Sequence, residues 1–197
     1  MDETPVGDER DGALRARAGV QDGYFTPAQA RACGYSAREM ADAVVSGRWS
    51  KPDPGVFRLN PWRSGDLDDV ARCCVRLEGA VVSHQSAAEL HGLGHLHPSF
   101  LHVTASDDGH LRLDRVAVHH NDLAAGDTEH TGAFRITTPL RTVLDLAGGG
   151  VSQWVLDEVV CDALAIGRLD RRELEAGSDA GDSRVRHRVR RALSTWA

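Results

Sequence analysis

Residues 26–59 read TPAQARACGYSAREMADAVVSGRWSKPDPGVFRL, and the order of signals within them decides the fold of the first part of the chain. Thr26 followed by Pro27 is a helix start. The hydroxyl caps free N–H groups, and proline at the first helical position gives up a donor that has no partner there. Cys33-Gly34-Tyr35 ends that helix early, because glycine can adopt the left-handed conformation that closes a helix, and Ser36 then caps a second helix over residues 37–46. Two short helices about a glycine turn outline a helix-turn-helix whose recognition helix is residues 37–46. Strand-like Gly47-Arg48-Trp49-Ser50 and Val56-Phe57-Arg58-Leu59 follow, enclosing Lys51-Pro52-Asp53-Pro54-Gly55, a turn made of residues that preset or permit turn dihedrals. A hairpin directly after a recognition helix is a wing.

Before this motif, residues 14–20 are expected to form a helix ended by Gly23, with one short strand at Tyr24-Phe25. Residues 1–12, acidic and almost free of apolar side chains, read as a disordered tail. After the motif, residues 61–66 read as a linker and residues 67–77 as a helix with Leu67, Val70, Ala71, Cys74 and Leu77 on one face. Ser83 caps a further helix through His91. The hydrophobic period then changes to two over residues 100–105, 116–120 and 134–137, which predicts strands. Pro139 opens a helix to Ala147, Ser152 caps another to about Ile166, and after a polar break at residues 177–181 a final helix covers residues 182–196. The expected fold class is α+β. A winged helix-turn-helix at residues 13–63 precedes a mixed α+β domain at residues 64–197, with a small sheet and C-terminal helices.

The formal net charge of the 197 residues is −6, which excludes a protein that coats nucleic acid indiscriminately, because non-specific binding is mostly phosphate neutralisation. Between residues 24 and 63, however, six cations (Arg31, Arg38, Arg48, Lys51, Arg58, Arg63) stand against three carboxylates (Glu39, Asp42, Asp53), a local excess of +3. The asymmetry marks the first domain as the one to face an anion. The start of the chain lacks the pattern of a secretory signal, no apolar run approaches bilayer length, and the four cysteines form no CxxC pair. A cytoplasmic protein with no membrane contact is expected.

Arg38, on the first turn of the recognition helix, is the candidate for a guanine edge or a phosphate, and its alternative is a solvated residue paired with Asp42 at i+4. Arg31 on the preceding helix and Arg48, Lys51 and Arg58 in the wing suit phosphate contacts, which position without specifying sequence. Trp49, Val56 and Phe57 are expected to be core beneath the wing rather than a stacking platform for bases. The last helix carries Arg184, Arg186, Arg188, Arg190 and Arg191 around an apolar seam of Val185, Val189, Leu193 and Trp196. These arginines are a candidate second surface for nucleic acid or an acidic partner, against the alternative of a packed terminal helix with solvated cations. The ten histidines include no HExxH, so no metal or other cofactor is expected, and His84 and His91 are expected to hydrogen-bond within a helix-loop corner. Arg141 with Asp145 reads as a structural ion pair, and no residue is assigned a catalytic role.

Taken in order, Gly23-Tyr24-Phe25-Thr26, Gly47-Arg48-Trp49, Pro54-Gly55-Val56-Phe57-Arg58-Leu59, Val82-Ser83-His84-Gln85-Ser86-Ala87-Ala88, Leu90-His91-Gly92-Leu93, His102-Val103-Thr104 and Thr137-Thr138-Pro139-Leu140-Arg141-Thr142-Val143-Leu144-Asp145-Leu146-Ala147 resemble the AbiEi-type antitoxin and transcriptional-regulator family of type IV toxin-antitoxin systems. The resemblance implies a repressor that binds double-stranded DNA at an operator inverted repeat upstream of its own operon. It also implies functional pairing with a nucleotidyltransferase toxin without a stable complex. An inverted repeat implies two bound copies, associating only on DNA. The alternative is a protein-interaction module whose winged helix no longer reads DNA, suggested by Glu39 and Asp42 beside Arg38 and by the acidic total.

Overall fold

The computed structural model describes residues 6–106 and 114–195. The chain divides into two compact units, one of residues up to 79 together with 130–134, the other of residues 80–129 together with those from 135 onward.

In the first unit α1 (Val6–Gly19), β1 (Tyr24–Phe25), α2 (Pro27–Ala32), α3 (Ala37–Val45), β2 (Trp49–Asp53), β3 (Val56–Leu59) and α4 (Asp68–Arg76) follow one another. The three strands form an antiparallel sheet in the order β1-β3-β2, with Phe25 opposite Phe57 and Trp49 opposite Leu59. Both short helices start on a reciprocal capping box, Thr26 with Gln29 and Ser36 with Glu39, which satisfies two otherwise orphaned N–H groups at each start. Such caps matter because helices this short do not hold in isolation. Phe25, Met40, Trp49 and Phe57 are buried together, and the Phe25 and Trp49 rings meet edge to face at 4.9 Å. The wing aromatics are therefore core beneath the wing, as expected. Gly23 has a concrete reason to be glycine: its φ is +80°, and a Cβ there would sit 2.5 Å from the indole of Trp62.

Two boundaries differ from the sequence reading. Helix α1 begins at Val6, so residues 6–12 of the expected tail are helical, and residues 1–5 lie outside the described residues. Its anchors are Leu14 and Ala18, both buried in the first core. The division between units falls at residues 79 and 80 rather than after Arg63. Asp68 and Arg72 of α4 reach back to Arg58 and Asp53, at 2.7 and 3.2 Å, and so tie α4 to the wing.

The second unit contains β4 (Val81–Val82), α5 (His84–Leu90), β5 (Leu101–Thr104), β6 (Val116–His119), β7 (Thr128–His130), β8 (Arg135–Thr137), α6 (Pro139–Gly148), α7 (Gln153–Ala165), α8 (Arg171–Asp179) and α9 (Ser183–Thr195). Its sheet has the order β6-β5-β4-β8-β7, with β4 antiparallel to β5 and parallel to β8, and β5 parallel to β6. Helix α5 lies in the connection between the antiparallel neighbours β4 and β5, and the parallel pair β4–β8 is closed only after the chain has passed through β5, β6 and β7. Val143, Leu146, Leu156, Val160, Val189 and Leu193 form the main core from α6, α7 and α9. The fold is thus α+β with a winged helix at its N-terminal side and helices at its C-terminal side. Helix α8 includes part of the stretch expected to be a polar break. Trp196 of the expected seam lies outside the described residues.

Candidate nucleic-acid interface

The geometry of the recognition helix α3 begins with its cap. Glu39 Oε2 accepts from the Ser36 backbone N–H at 2.8 Å and from the Ser36 hydroxyl at 2.7 Å. Its other oxygen accepts from Arg10 Nη1 at 2.9 Å. The Ser36 backbone and hydroxyl first, and Arg10 after them, pull the Glu39 carboxyl down to about 2. The same Arg10 nitrogen donates to the Gly34 carbonyl at 3.1 Å, and the guanidinium lies over the Tyr35 ring at 4.9 Å. Tyr35 in turn donates its hydroxyl to Asp11. Helix α1 therefore clamps the turn of the helix-turn-helix from behind and neutralises Glu39. This latch was not legible in the sequence, where residue 10 fell in the expected tail.

The outward face of α3 carries Arg38, Ala41, Asp42 and Val45, all exposed. The Arg38 side chain is 92% exposed, and its 4.0 Å separation from Asp42 is too long for a hydrogen bond. Arg31 on α2, and Arg48 and Lys51 beside and within β2, are also exposed. At the wing, Asp53 is paired with Arg72. Two of the three carboxylates counted against this surface are thus engaged by arginines from outside the motif. The exposed charge of the helix and wing is consequently more basic than a count along residues 24–63 suggests.

Arg58 departs from expectation. It is 9% exposed, its Nη2 donates to Asp68 at 2.7 Å and to Asp22 at 3.2 Å, and its guanidinium lies 4.5 Å from the centre of the Tyr24 ring. Ser64 and two backbone carbonyls accept its remaining donors. A phosphate contact from Arg58 is corrected to a structural role, since strand alternation at the β3 register turns it toward β1 and α4 rather than to the wing's outer face.

Residues 80–195 match the family model described as the AbiEi antitoxin C-terminal domain, and residues 13–60 match that of the transcriptional regulator AbiEi antitoxin. The chain belongs to the AbiEi antitoxin family. No curated protein matches it. Among solved structures it is similar to the crystal structure of the Rv2827c protein from Mycobacterium tuberculosis, at 14% identity and a TM-score of 0.57. That match covers 98% of this chain and 77% of the other, a likeness of fold. The AbiEi regulator model spans the helix-turn-helix and wing whose exposed cations are described above.

In the AbiEi C-terminal domain the five arginines of α9 behave differently from those of the wing. Arg188 donates to the carbonyls of Ala147 at 2.9 Å, Gly149 at 3.2 Å and Val151 at 2.6 Å, and to the Gln153 side chain at 3.2 Å. It closes the C-terminus of α6, where a cation suits both the orphan carbonyls and the helix dipole. Arg186 and Arg190 pair with Asp179, and Arg184 donates to the Gly149 carbonyl. Arg191 is exposed. Most of the candidate second surface is thus engaged within the domain. His91 Nε2 donates to the Thr137 carbonyl at 2.7 Å, and Arg141 Nε donates to Asp145 at 2.9 Å, both as structural contacts. Among the described residues no three His, Cys, Asp or Glu side chains form a group able to hold a metal, and no helix is long and apolar enough to cross a membrane.

Proposed function

We propose that this AbiEi-family protein is an autoregulatory repressor that binds an inverted repeat upstream of its own operon. In this reading α3 enters the major groove, Arg38 reads a base edge or holds a phosphate, and Arg31, Arg48 and Lys51 rest on the backbone. The observation that carries it is the group of exposed cations Arg31, Arg38, Arg48 and Lys51 around α3 and the wing, with Glu39 and Asp53 neutralised by Arg10 and Arg72. The geometry supports positioning by phosphate contacts with few base contacts. Two copies associate on the operator, one per half-site. Family membership extends the proposal to functional pairing, in the cytoplasm, with a nucleotidyltransferase toxin that forms no stable complex with it.

The test is a fluorescence-anisotropy titration of the full chain against its own upstream DNA and a shuffled fragment, repeated at several salt concentrations. Preference for the native fragment that survives moderate salt is expected. Equal binding to both fragments that collapses with salt would remove sequence-specific repression from the model, and stable capture of a protein partner without DNA binding would put an interaction module in its place.

A further inference from the structure

The outward face of α3 carries an apolar stripe. Ala37, Ala41 and Val45, spaced i, i+4 and i+8, are all exposed, and Val45 at 89% is the most exposed large apolar side chain among the described residues. The opposite face already supplies the core with Met40 and Ala43, so the fold itself does not use the stripe. Single apolar residues are ordinary on a protein surface, but these three are in register on one helix. Alanine is a strong helix former and needs no further reason at an exposed position. Valine does, because lysine, arginine or glutamate would hold the helix better than a β-branched residue and would keep its surface wet.

Arg38 lies beside the stripe on α3, and Arg31, Arg48 and Lys51 are exposed on the segments directly before and after it. A basic rim around an apolar centre fits a polyanion that presents apolar groups between rows of phosphates. The major groove of DNA is such a surface, and the apolar group on its floor is the 5-methyl of thymine. The two polar residues of the face do not make that choice. Arg38 suits guanine or a phosphate. Asp42, 4.0 Å from Arg38, can accept from an exocyclic amine, but A·T and G·C pairs each offer one in this groove. The nine residues of α3 span about 14 Å, short enough for the whole outer face to lie in a groove about 12 Å wide, Val45 included. Ala41 and Val45 are about 6 Å apart along the helix axis, close to two base-pair rises of about 3.4 Å.

We propose that Ala41 and Val45 determine the specificity of α3 by packing on thymine 5-methyl groups, so that each operator half-site carries two thymines about two base steps apart. The proposal rests on the operator-binding reading above and adds what the helix reads. Contact with a methyl group needs no hydrogen-bonding side chain, so a recognition face with only two polar residues still discriminates between base pairs.

The test measures the affinity of the full chain, by fluorescence anisotropy, for three duplexes: the native upstream fragment, a shuffled fragment, and the native fragment with deoxyuridine in place of every thymidine. Deoxyuridine removes the 5-methyl groups and keeps every hydrogen-bonding group. It should weaken binding at least about fivefold relative to the native fragment. Val45→Ser, at an exposed site and with a helix propensity close to that of valine, should weaken native binding by a similar factor. The variant should also bind the native and deoxyuridine duplexes within about twofold of each other. The deoxyuridine comparison itself uses the unaltered chain, so it holds whether or not the variant folds. Equal binding of the native and deoxyuridine duplexes, with the native still preferred over the shuffled one, overturns thymine readout and leaves operator binding standing. A deoxyuridine effect of undiminished size in folded Val45→Ser also overturns it, since the methyl groups then act through the DNA and not through the helix. No preference for the native over the shuffled duplex removes both readings.

Discussion

The wing carries two arginines and the last helix five, and the structure treats the two sets in opposite ways. Around the wing, Arg48 and Lys51 project into solvent while Arg58 alone turns inward. On α9, Arg184, Arg186, Arg188 and Arg190 are bound to carbonyls and to Asp179 within their own unit. A run of cations becomes an anion-binding surface only when the fold has no internal use for it. Helix ends are the main internal use here, because α6 closes on orphan carbonyls that only a donor from elsewhere can reach.

The largest test of this contrast is Arg58→Ala. It leaves Asp22 and Asp68 close together without their cation, and a loss on the order of 3 kcal/mol in urea-denaturation stability is expected. A variant as stable as the parent, with DNA affinity reduced, would return Arg58 to the binding surface. Next, Arg188→Ala should lower stability by on the order of 2 kcal/mol, since several charge-assisted bonds to backbone carbonyls vanish together. If instead it melts like the parent and loses nucleic-acid affinity, the last helix is a binding surface after all.

A third prediction separates the two units by acid sensitivity. Burial lowers His84, His102 and His119 of the C-terminal unit below the ordinary histidine range, His84 to about 3. A folded pKa below the unfolded one means that the unfolded chain takes the proton first. Stability is then unaffected above about pH 6.5 and falls as pH drops below it, by about 1.4 kcal/mol per unit for His84 alone, or about 2 kcal/mol by pH 5. Urea midpoints at pH 7.5 and 5.0 read this directly. His84 holds a φ of +52°, and His84→Asn, which keeps a residue tolerant of that left-handed region, should flatten the dependence. A parent midpoint that does not move between these values would show that the imidazoles are solvated.

The smallest expected stability change belongs to Arg48→Ala with Lys51→Ala. Thermal stability should hold within about 0.5 kcal/mol, while the dependence of log affinity on log salt flattens by about 2 if each contacts one phosphate. An unaltered salt slope would take the wing off the DNA.

The legible features were local ones. Thr26-Pro27, Ser36 and the glycine turn at Gly34 specify two helix starts and a helix end within a few residues, so the helix-turn-helix and wing could be read directly. The Arg141 to Asp145 pair at helical spacing was equally visible. Strands β4 and β7, of two and three residues, are too short to show a period. Helix α8 has a single buried apolar residue, Leu174, among charges, which leaves no stripe to detect. The candidate binding residues divided likewise: spacing placed Arg38 on the second helix, but it put Lys51 in a turn where the structure has β2, and it could not distinguish the exposed Arg48 from the buried Arg58.

By itself, then, the sequence determined which segments become the helices and hairpin of the regulator unit, because capping and turn chemistry act over a few residues. The tertiary structure alone decided which charges remain available. Arg10 cancels Glu39 across 29 positions, Arg72 cancels Asp53 from another helix, and Arg188 closes α6 from about 40 residues away. Pairings of that range depend on how whole elements pack, and no periodicity along the chain records them.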